Sequence, residues 1–353
     1  MTSVPDEDNA ALHLQGRELD DGWRVGTLNK RPPDATGGHF SVSYTVQHSS
    51  GRYGFMKVLN VAAELDDIDR LQQILSEYIY ERDLVMMCAE KHLSRVVVGI
   101  THGQFTSNQY RAPNVNYIIF ELATTDIRIA FNQGATVDLV LKLDMLHSLA
   151  TGIRQLHTQG VAHQDVKPSN LLVFDKDEDG RTRGKVADLG RAYRPDHPSL
   201  HDHLPMPGDR NYAPPEQLYG HVYPDDAERR YAADLYQIGN LATFIFFGST
   251  MNSLLSSELN AQHHWGAFGD SYGQVLPYVR DAFVRSISRL SAQDPTVPAE
   301  IIAMIGYLCE PDAQRRGHPR TVSRPGPNYA LERVVAQLDL LSRRAVVDMA
   351  RSQ

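Results

Sequence analysis

Between positions 163 and 170 the chain reads His-Gln-Asp-Val-Lys-Pro-Ser-Asn, so a carboxylate (Asp165), an ammonium (Lys167) and an amide (Asn170) fall close together. A second carboxylate, Asp188, closes an apolar run in Lys185-Val186-Ala187-Asp188-Leu189-Gly190. Phosphoryl transfer asks for a carboxylate that orients an attacking hydroxyl, cations that hold phosphate oxygens, and little covalent work from the protein. Side chains of these types at this spacing suit that chemistry. An Asp-Leu-Gly tripeptide alone is weak evidence, and a polar loop ending a helix is the competing reading of 163–170. Pro168, the apolar pair Leu171-Leu172 and the strand-like run before Asp188 weigh against it.

The elements that must position these groups are legible as periodicities. An amphipathic helix over 137–157 leads into the loop through Leu156-His157-Thr158-Gln159-Gly160-Val161. Upstream, 23–59 reads as a three-stranded antiparallel meander: Ser41 to Val46 is rich in β-branched residues, His48-Ser49-Ser50-Gly51 turns the chain, and Tyr53 to Leu59 returns. Helical spacing takes over at 62–90, with Leu71, Ile74, Ile79, Val85 and Cys88 on the apolar stripe, followed by strands at 96–100 and 117–121. Further helices are expected over 231–247, 274–290, 299–309 and 328–350, and 194–211 reads as an extended loop. The fold class is therefore α+β: a small antiparallel β-sheet lobe with one main helix over 22–122, and a large, mainly helical lobe over 123–353. The acidic stretch 1–21 is expected to be a flexible tail.

The 163–172 segment, with its preceding helix and following apolar pair, resembles the catalytic loop of the eukaryotic-type (Hanks-type) serine/threonine protein kinases, H-R-D-x-K-x-x-N. The resemblance covers about residues 22–340 and implies the bilobal protein kinase fold, with ATP and Mg2+ as cofactors and a protein substrate bearing Ser or Thr. It implies that Asp165 orients the substrate hydroxyl and Lys167 neutralises the γ-phosphate, while Asn170 and Asp188 hold magnesium. Lys57, in Phe55-Met56-Lys57, is similar to the strand lysine that holds the α- and β-phosphates. Its expected partner is Glu81 rather than Glu77, because Val85 supplies the apolar residue one turn on. Tyr117-Ile118-Ile119-Phe120-Glu121-Leu122-Ala123 looks like the hinge, with backbone groups of Glu121 and Ala123 on adenine, Phe55 as its ceiling and Leu172 as its floor. Tyr212-Ala213-Pro214-Pro215-Glu216 closes the activation segment, and Glu216 is expected to pair with Arg315 or Arg316. Asp234 matches the aspartate that holds the catalytic-loop backbone.

Five positions depart from the family pattern. In Thr36-Gly37-Gly38-His39-Phe40-Ser41 the phosphate-covering loop keeps Gly37 and Gly38 but has Thr36 and Ser41 where glycines are usual. Phe55 replaces a small residue. Gln164 replaces the arginine that pairs with an activating phosphate, and Ser199 is the only Ser or Thr between Asp188 and Glu216, so no activating phosphorylation is expected. Asp209 stands where Thr is usual, a placement expected to pair it with Lys167 and set it against Asp165. A pseudokinase scaffold is the alternative these departures support. A small-molecule phosphotransferase of related fold is the third reading, disfavoured by the Lys-Pro and Pro-Pro-Glu elements.

Composition bounds the remainder. With 353 residues, 42% hydrophobic, a sizeable core is expected. The net charge of -8 disfavours nucleic-acid or anionic-membrane partners held by bulk charge. Two cysteines, Cys88 and Cys309, are no disulfide framework, and a cytoplasmic protein is expected, its oligomeric state left open. Asp175-Lys176-Asp177-Glu178-Asp179-Gly180 resembles the start of a calcium loop, but Val186 stands where the bidentate Glu belongs, so a charged hairpin tip is expected.

Overall fold

The computed structural model describes residues 6–29, 40–110, 113–132, 137–176, 182–323 and 329–351. The expected phosphate-loop glycines Gly37 and Gly38, and the 177–181 hairpin tip, lie outside these residues. Two compact units divide the chain, 1–124 and 125–353, two residues from the boundary expected between 122 and 123.

In the first unit, β1 (Trp23–Leu28), β2 (Ser41–His48), β3 (Tyr53–Leu59), β4 (Gly99–Thr106) and β5 (Asn114–Glu121) form an antiparallel sheet in the order β1-β2-β3-β5-β4. The meander appears as expected; β4 begins and ends later than the 96–100 run. The turn between β2 and β3 passes through Gly51 at φ 88°, a conformation open to glycine. Alternation along each strand sends Tyr44, Val46, Met56, Val58, Val115, Tyr117 and Ile119 into one buried cluster. The intervening residues of β3, Phe55 and Lys57, take the other face.

That second face is covered by α1 (Ile68–Glu90). Asp67 caps it by accepting the Arg70 backbone N–H at 2.9 Å. Its buried residues Ile74, Tyr78, Glu81, Val85 and Cys88 recur at three- and four-residue steps, which aligns them on one stripe.

The first face is roofed by the N-terminal segment, and here expectation and structure part. Residues 6–22 contain short 3-10 turns rather than a solvated tail, and Ala10, Ala11, Leu14 and Leu19 join the Tyr44 cluster. The buried Tyr44 hydroxyl donates to the Ala11 carbonyl at 2.8 Å, and the Asn9 amide donates to Asn60 Oδ1 at 3.0 Å. A sheet apolar on both faces needs two covers, and only α1 was visible as a periodic element. The acidic composition of 1–21 masked four apolar anchors spaced irregularly.

The second unit begins with the short pair β6 (Thr125–Asp126) and α2 (Ile127–Asn132), then α3 (Leu139–Thr158), capped by Asp138. The hairpin β7 (Leu171–Lys176) and β8 (Thr182–Val186) follows, and β6 completes its sheet. Then come α4 (Pro215–Leu218), α5 (Ala232–Phe247), α6 (Met251–Glu258), α7 (Tyr272–Gln293), α8 (Ala299–Leu308), α9 (Pro319–Val322) and α10 (Glu332–Arg351). The helix α5 is buried on almost every side and stops at Gly248, in the left-handed region. Gly184 lets β8 approach α3, because a Cβ there would meet the Ser148 side chain at 2.8 Å. The last helix, α10, packs on α3, where Ser342 donates its hydroxyl to the buried Asp144 carboxylate.

Burial of Leu14 predicts that Leu14→Ala lowers stability by about 2–5 kcal/mol, the range for emptying a packed leucine site. Denaturant unfolding checks it; a change near zero would return 6–22 to the status of a tail.

Candidate active site

In the first unit, β3 aims Lys57 at the apolar stripe of α1, where Glu81 is a carboxylate among hydrophobic neighbours. A charge so placed needs a partner. Lys57 Nζ donates to both Glu81 oxygens at 2.7 Å, as expected for Glu81 over Glu77. Glu77 instead accepts from the Gln73 amide at 3.0 Å. Phe55 lies opposite Phe120 in the β3–β5 register. The backbone N–H of Glu121 donates to the Val98 carbonyl at 3.1 Å and its carboxylate accepts the Val98 N–H at 2.7 Å.

In the second unit, α3 ends at Thr158 and the chain turns at Gly160, φ 73°. A single antiparallel bridge between Ala162 and Tyr193 then pins the start of the loop. From there the backbone is held by α5. The fully buried Asp234 accepts the N–H of His163 and of Gln164, each at 2.7 Å, and meets His157 Nε2 at 2.8 Å. Gln237, three residues along the same helix, accepts the Val166 N–H and donates to the Gln164 carbonyl, both at 2.9 Å. Gln164 is thereby fixed at φ 63°, a conformation that costs a non-glycine residue about 1–3 kcal/mol and persists only where surroundings over-determine it.

The strained loop presents Asp165, 5% exposed. One carboxylate oxygen accepts Lys167 Nζ at 2.7 Å, and the other accepts the backbone N–H of Asp209 at 2.7 Å. The Asn170 amide ties back to the Asp165 carbonyl at 2.9 Å. His163 bridges the two chemical segments: its Nδ1 accepts the Asp165 N–H and its Nε2 donates to the Ala187 carbonyl, beside Asp188. Asp188 also sits at φ 63°. Burial raises the Asp165 pKa, Lys167 counteracts it, and the charge of Asp188 raises it again. Asp188, whose charge is felt at Asp165, and the amide oxygen of Asn170 are hard-oxygen donors with negative charge for a dication to offset. That fits Mg2+, which binds through one or two carboxylates and takes its remaining ligands from water and substrate phosphates.

The expected conflict at Asp209 does not arise. Its carboxylate turns away to cap the Asn211 N–H at 2.9 Å, and only its N–H meets Asp165, so it neither pairs with Lys167 nor repels the Asp165 carboxylate directly. A Cβ at the preceding residue, Gly208, would strike the Gln164 carbonyl, so glycine is what permits this approach. Glu216 pairs with Arg316, one of the two expected candidates, through two bonds of 2.8 and 2.9 Å. Burial opposes the Arg316 charge, but the Glu216 carboxylate overrides it and drives the pKa up.

Sequence reasoning did not identify Gly208, Gln237 or Arg230. For the last two a signal existed: Arg230, Asp234 and Gln237 are four and three residues apart, the spacing of one helix face. Arg230 lies in a π-helical turn, Ala227–Tyr231, that leads into α5.

Removing one partner of the buried Glu216–Arg316 pair strands the other charge. Arg316→Met is expected to cost about 3–5 kcal/mol, and Glu216→Gln with Arg316→Met together less than the sum. Denaturant unfolding of the two singles and the double tests this; strict additivity would mean the pair is not coupled.

A family model for the protein kinase domain matches residues 36–323. The probable serine/threonine-protein kinase PknB of Lactococcus lactis is 25% identical over 241 residues, 68% of this chain and 34% of that protein. Serine/threonine-protein kinase PknA of Mycobacterium tuberculosis is 25% identical over 206 residues, 58% of this chain and 43% of that protein. Extracellular signal-regulated kinase 7 of Drosophila melanogaster is 32% identical over 92 residues, 26% of this chain and 10% of that protein. The chain thus spans less than half the length of each of these relatives. Since the match takes in most of the chain, including the 163–170 loop, Asp188 and the Glu216–Arg316 pair, the chain belongs to the protein kinase domain family.

Proposed function

We propose that the chain is an ATP- and Mg2+-dependent protein kinase that transfers the γ-phosphoryl group to Ser or Thr hydroxyls of a protein substrate, without requiring an activating phosphate. The observation that carries this reading is Asp165: a buried carboxylate held on two sides, with Lys167 on one oxygen and the Asp209 N–H on the other. A carboxylate so held orients an incoming hydroxyl and accepts its hydrogen bond, and transfer needs little else from the protein beyond charge and position. Lys167, two residues on, neutralises charge on the moving phosphoryl group. Lys57, held by Glu81, is assigned to the α- and β-phosphates. Asn170 and Asp188 would hold Mg2+, which screens the phosphate charge when bound.

Preference for Ser and Thr rests on Lys167 at two past Asp165 and on the names of the relatives. Phe55, Glu121, Ala123 and Leu172 keep their assignment to adenine, and Gly37 and Gly38 theirs to the phosphates, on family resemblance. Independence from phosphorylation rests on Gln164, which hydrogen-bonds to protein partners in the place of a phosphate-binding arginine. The two buried thiols, Cys88 and Cys309, suit a reducing, cytoplasmic setting.

Purified protein incubated with labelled ATP, Mg2+ and a generic protein acceptor is expected to yield phosphoserine or phosphothreonine. Asp165→Asn should reduce the rate by about 10²–10⁴-fold, and Asp188→Ala should abolish labelling. Absence of labelling in the unaltered protein, together with no ATP-induced rise in melting temperature, would turn the assignment to a pseudokinase scaffold. Phosphatase treatment should leave the rate within about twofold; a large loss would show that a phosphate is required after all.

A further inference from the structure

Arg230 is 1% exposed, and the catalytic roles assigned above do not use it. A buried arginine is costly unless its donors are spent on fixed acceptors. NH1 of Arg230 donates to Gln164 Oε1 at 2.6 Å, and NH2 donates to the Asp202 carbonyl. The Tyr193 ring lies beneath the guanidinium, 4.7 Å to its centroid, and Asp226 stands at 4.0 Å. Gln164 in turn donates its amide to the Arg191 carbonyl at 3.2 Å. One side chain rooted in the turn that leads into α5 therefore joins the 163–170 loop to the 188–216 segment, one end of its fork on each.

We propose that Arg230 is a positioning residue that holds the activation segment on the catalytic loop, supplying from inside the fold the cationic link that a phosphate and an arginine at position 164 would otherwise make. The proposal rests on the kinase reading and deepens it. An arginine at 164 would face Arg230 as a like charge; glutamine accepts from it instead, so the substitution at 164 and the burial of Arg230 are two halves of one arrangement.

The arrangement also fixes the sign of any phosphate at Ser199. The Ser199 N–H and hydroxyl both bond to the Asp202 carboxylate at 2.9 Å, and the Asp202 carbonyl is the acceptor of Arg230. A phosphate on Ser199 would lie against that carboxylate and repel it, loosening the residue that Arg230 grips. Modification there lowers activity.

The test uses the full chain with Mg-ATP and casein as acceptor, comparing Arg230→Met, Arg230→Lys, Gln164→Leu, the Arg230→Met/Gln164→Leu double and Ser199→Glu. Arg230→Met is expected to lower kcat by about tenfold or more with KM for ATP within about threefold, and Arg230→Lys to recover part of the loss. The double should be no worse than Arg230→Met alone, because both break the same link. Hydrogen exchange should quicken at the Asp202 and Leu204 amides in each variant, and Ser199→Glu should lower kcat. If Arg230→Met does not fold, Gln164→Leu cuts the same contact from the loop side without touching α5. Additive effects, or unchanged kcat and unchanged exchange over 199–204, would overturn the proposal. Should the unaltered chain transfer no phosphate, the kinase reading fails, while the exchange comparison still decides the Arg230 link.

Discussion

The arrangement depends on one buried carboxylate, Asp234, accepting two successive backbone N–H groups. Neither His163 nor Gln164 can find water where they lie, and a buried unpaired N–H costs about 1–3 kcal/mol. A carboxylate satisfies both at 2.7 Å, one on each oxygen, and the oxygen that accepts from His163 also meets the His157 ring at 2.8 Å. A neutral acceptor would bind one N–H well and the other poorly. The reward is a loop locked in an unfavourable turn, with Gln164 in the left-handed region. That turn is what sends the Asp165 carboxylate toward Lys167 and Asp209 instead of into solvent.

From Asp234 outward, α5 serves as the frame. Arg230, in the turn that leads into α5, is placed on Gln164 and on the 188–216 segment at Asp202, Asp234 on 163 and 164, and Gln237 on 164 and 166. The end of that segment is fixed separately by Glu216, held by Arg316, whose guanidinium also donates to the Ala232 carbonyl at the start of α5. The Asp234 and Glu216–Arg316 charges are matched to partners fixed by backbone or by a packed helix, the condition under which buried ions are tolerable. The first unit shows the same economy: Glu81 interrupts an apolar stripe, and Lys57 answers it.

The sequence disclosed the parts whose spacing is dictated locally. The loop 163–170, Asp188, the choice of Glu81 over Glu77 and the main strands and helices were readable from residues a few positions apart or from a periodic stripe, whereas the partners of Asp234 and Glu216, distant in sequence, were expected only from the family resemblance. The packed N-terminal segment was not readable, because Ala10, Leu14 and Leu19 are anchored by tertiary contacts with β2, β3 and β5 and follow no period. Asp209 was misjudged for a related reason: residue type suggested what its carboxylate would do, while the backbone geometry at Gly208 gave the contact to its N–H. Arg230 fell just outside the helix expected over 231–247, and the π-helical turn Ala227–Tyr231 is what carries it inward.

The most direct measurement is single-turnover phosphoryl transfer by Asp234→Asn beside its equilibrium affinity for ATP. An amide retains shape but loses one acceptor, so the loop relaxes while Lys57 and Glu81 are untouched. The account predicts transfer slowed by about tenfold or more with ATP affinity held within about threefold. Transfer at the unaltered rate would contradict it, and would mean that the bonds from His163 and Gln164 to Asp234 do not set the geometry of Asp165.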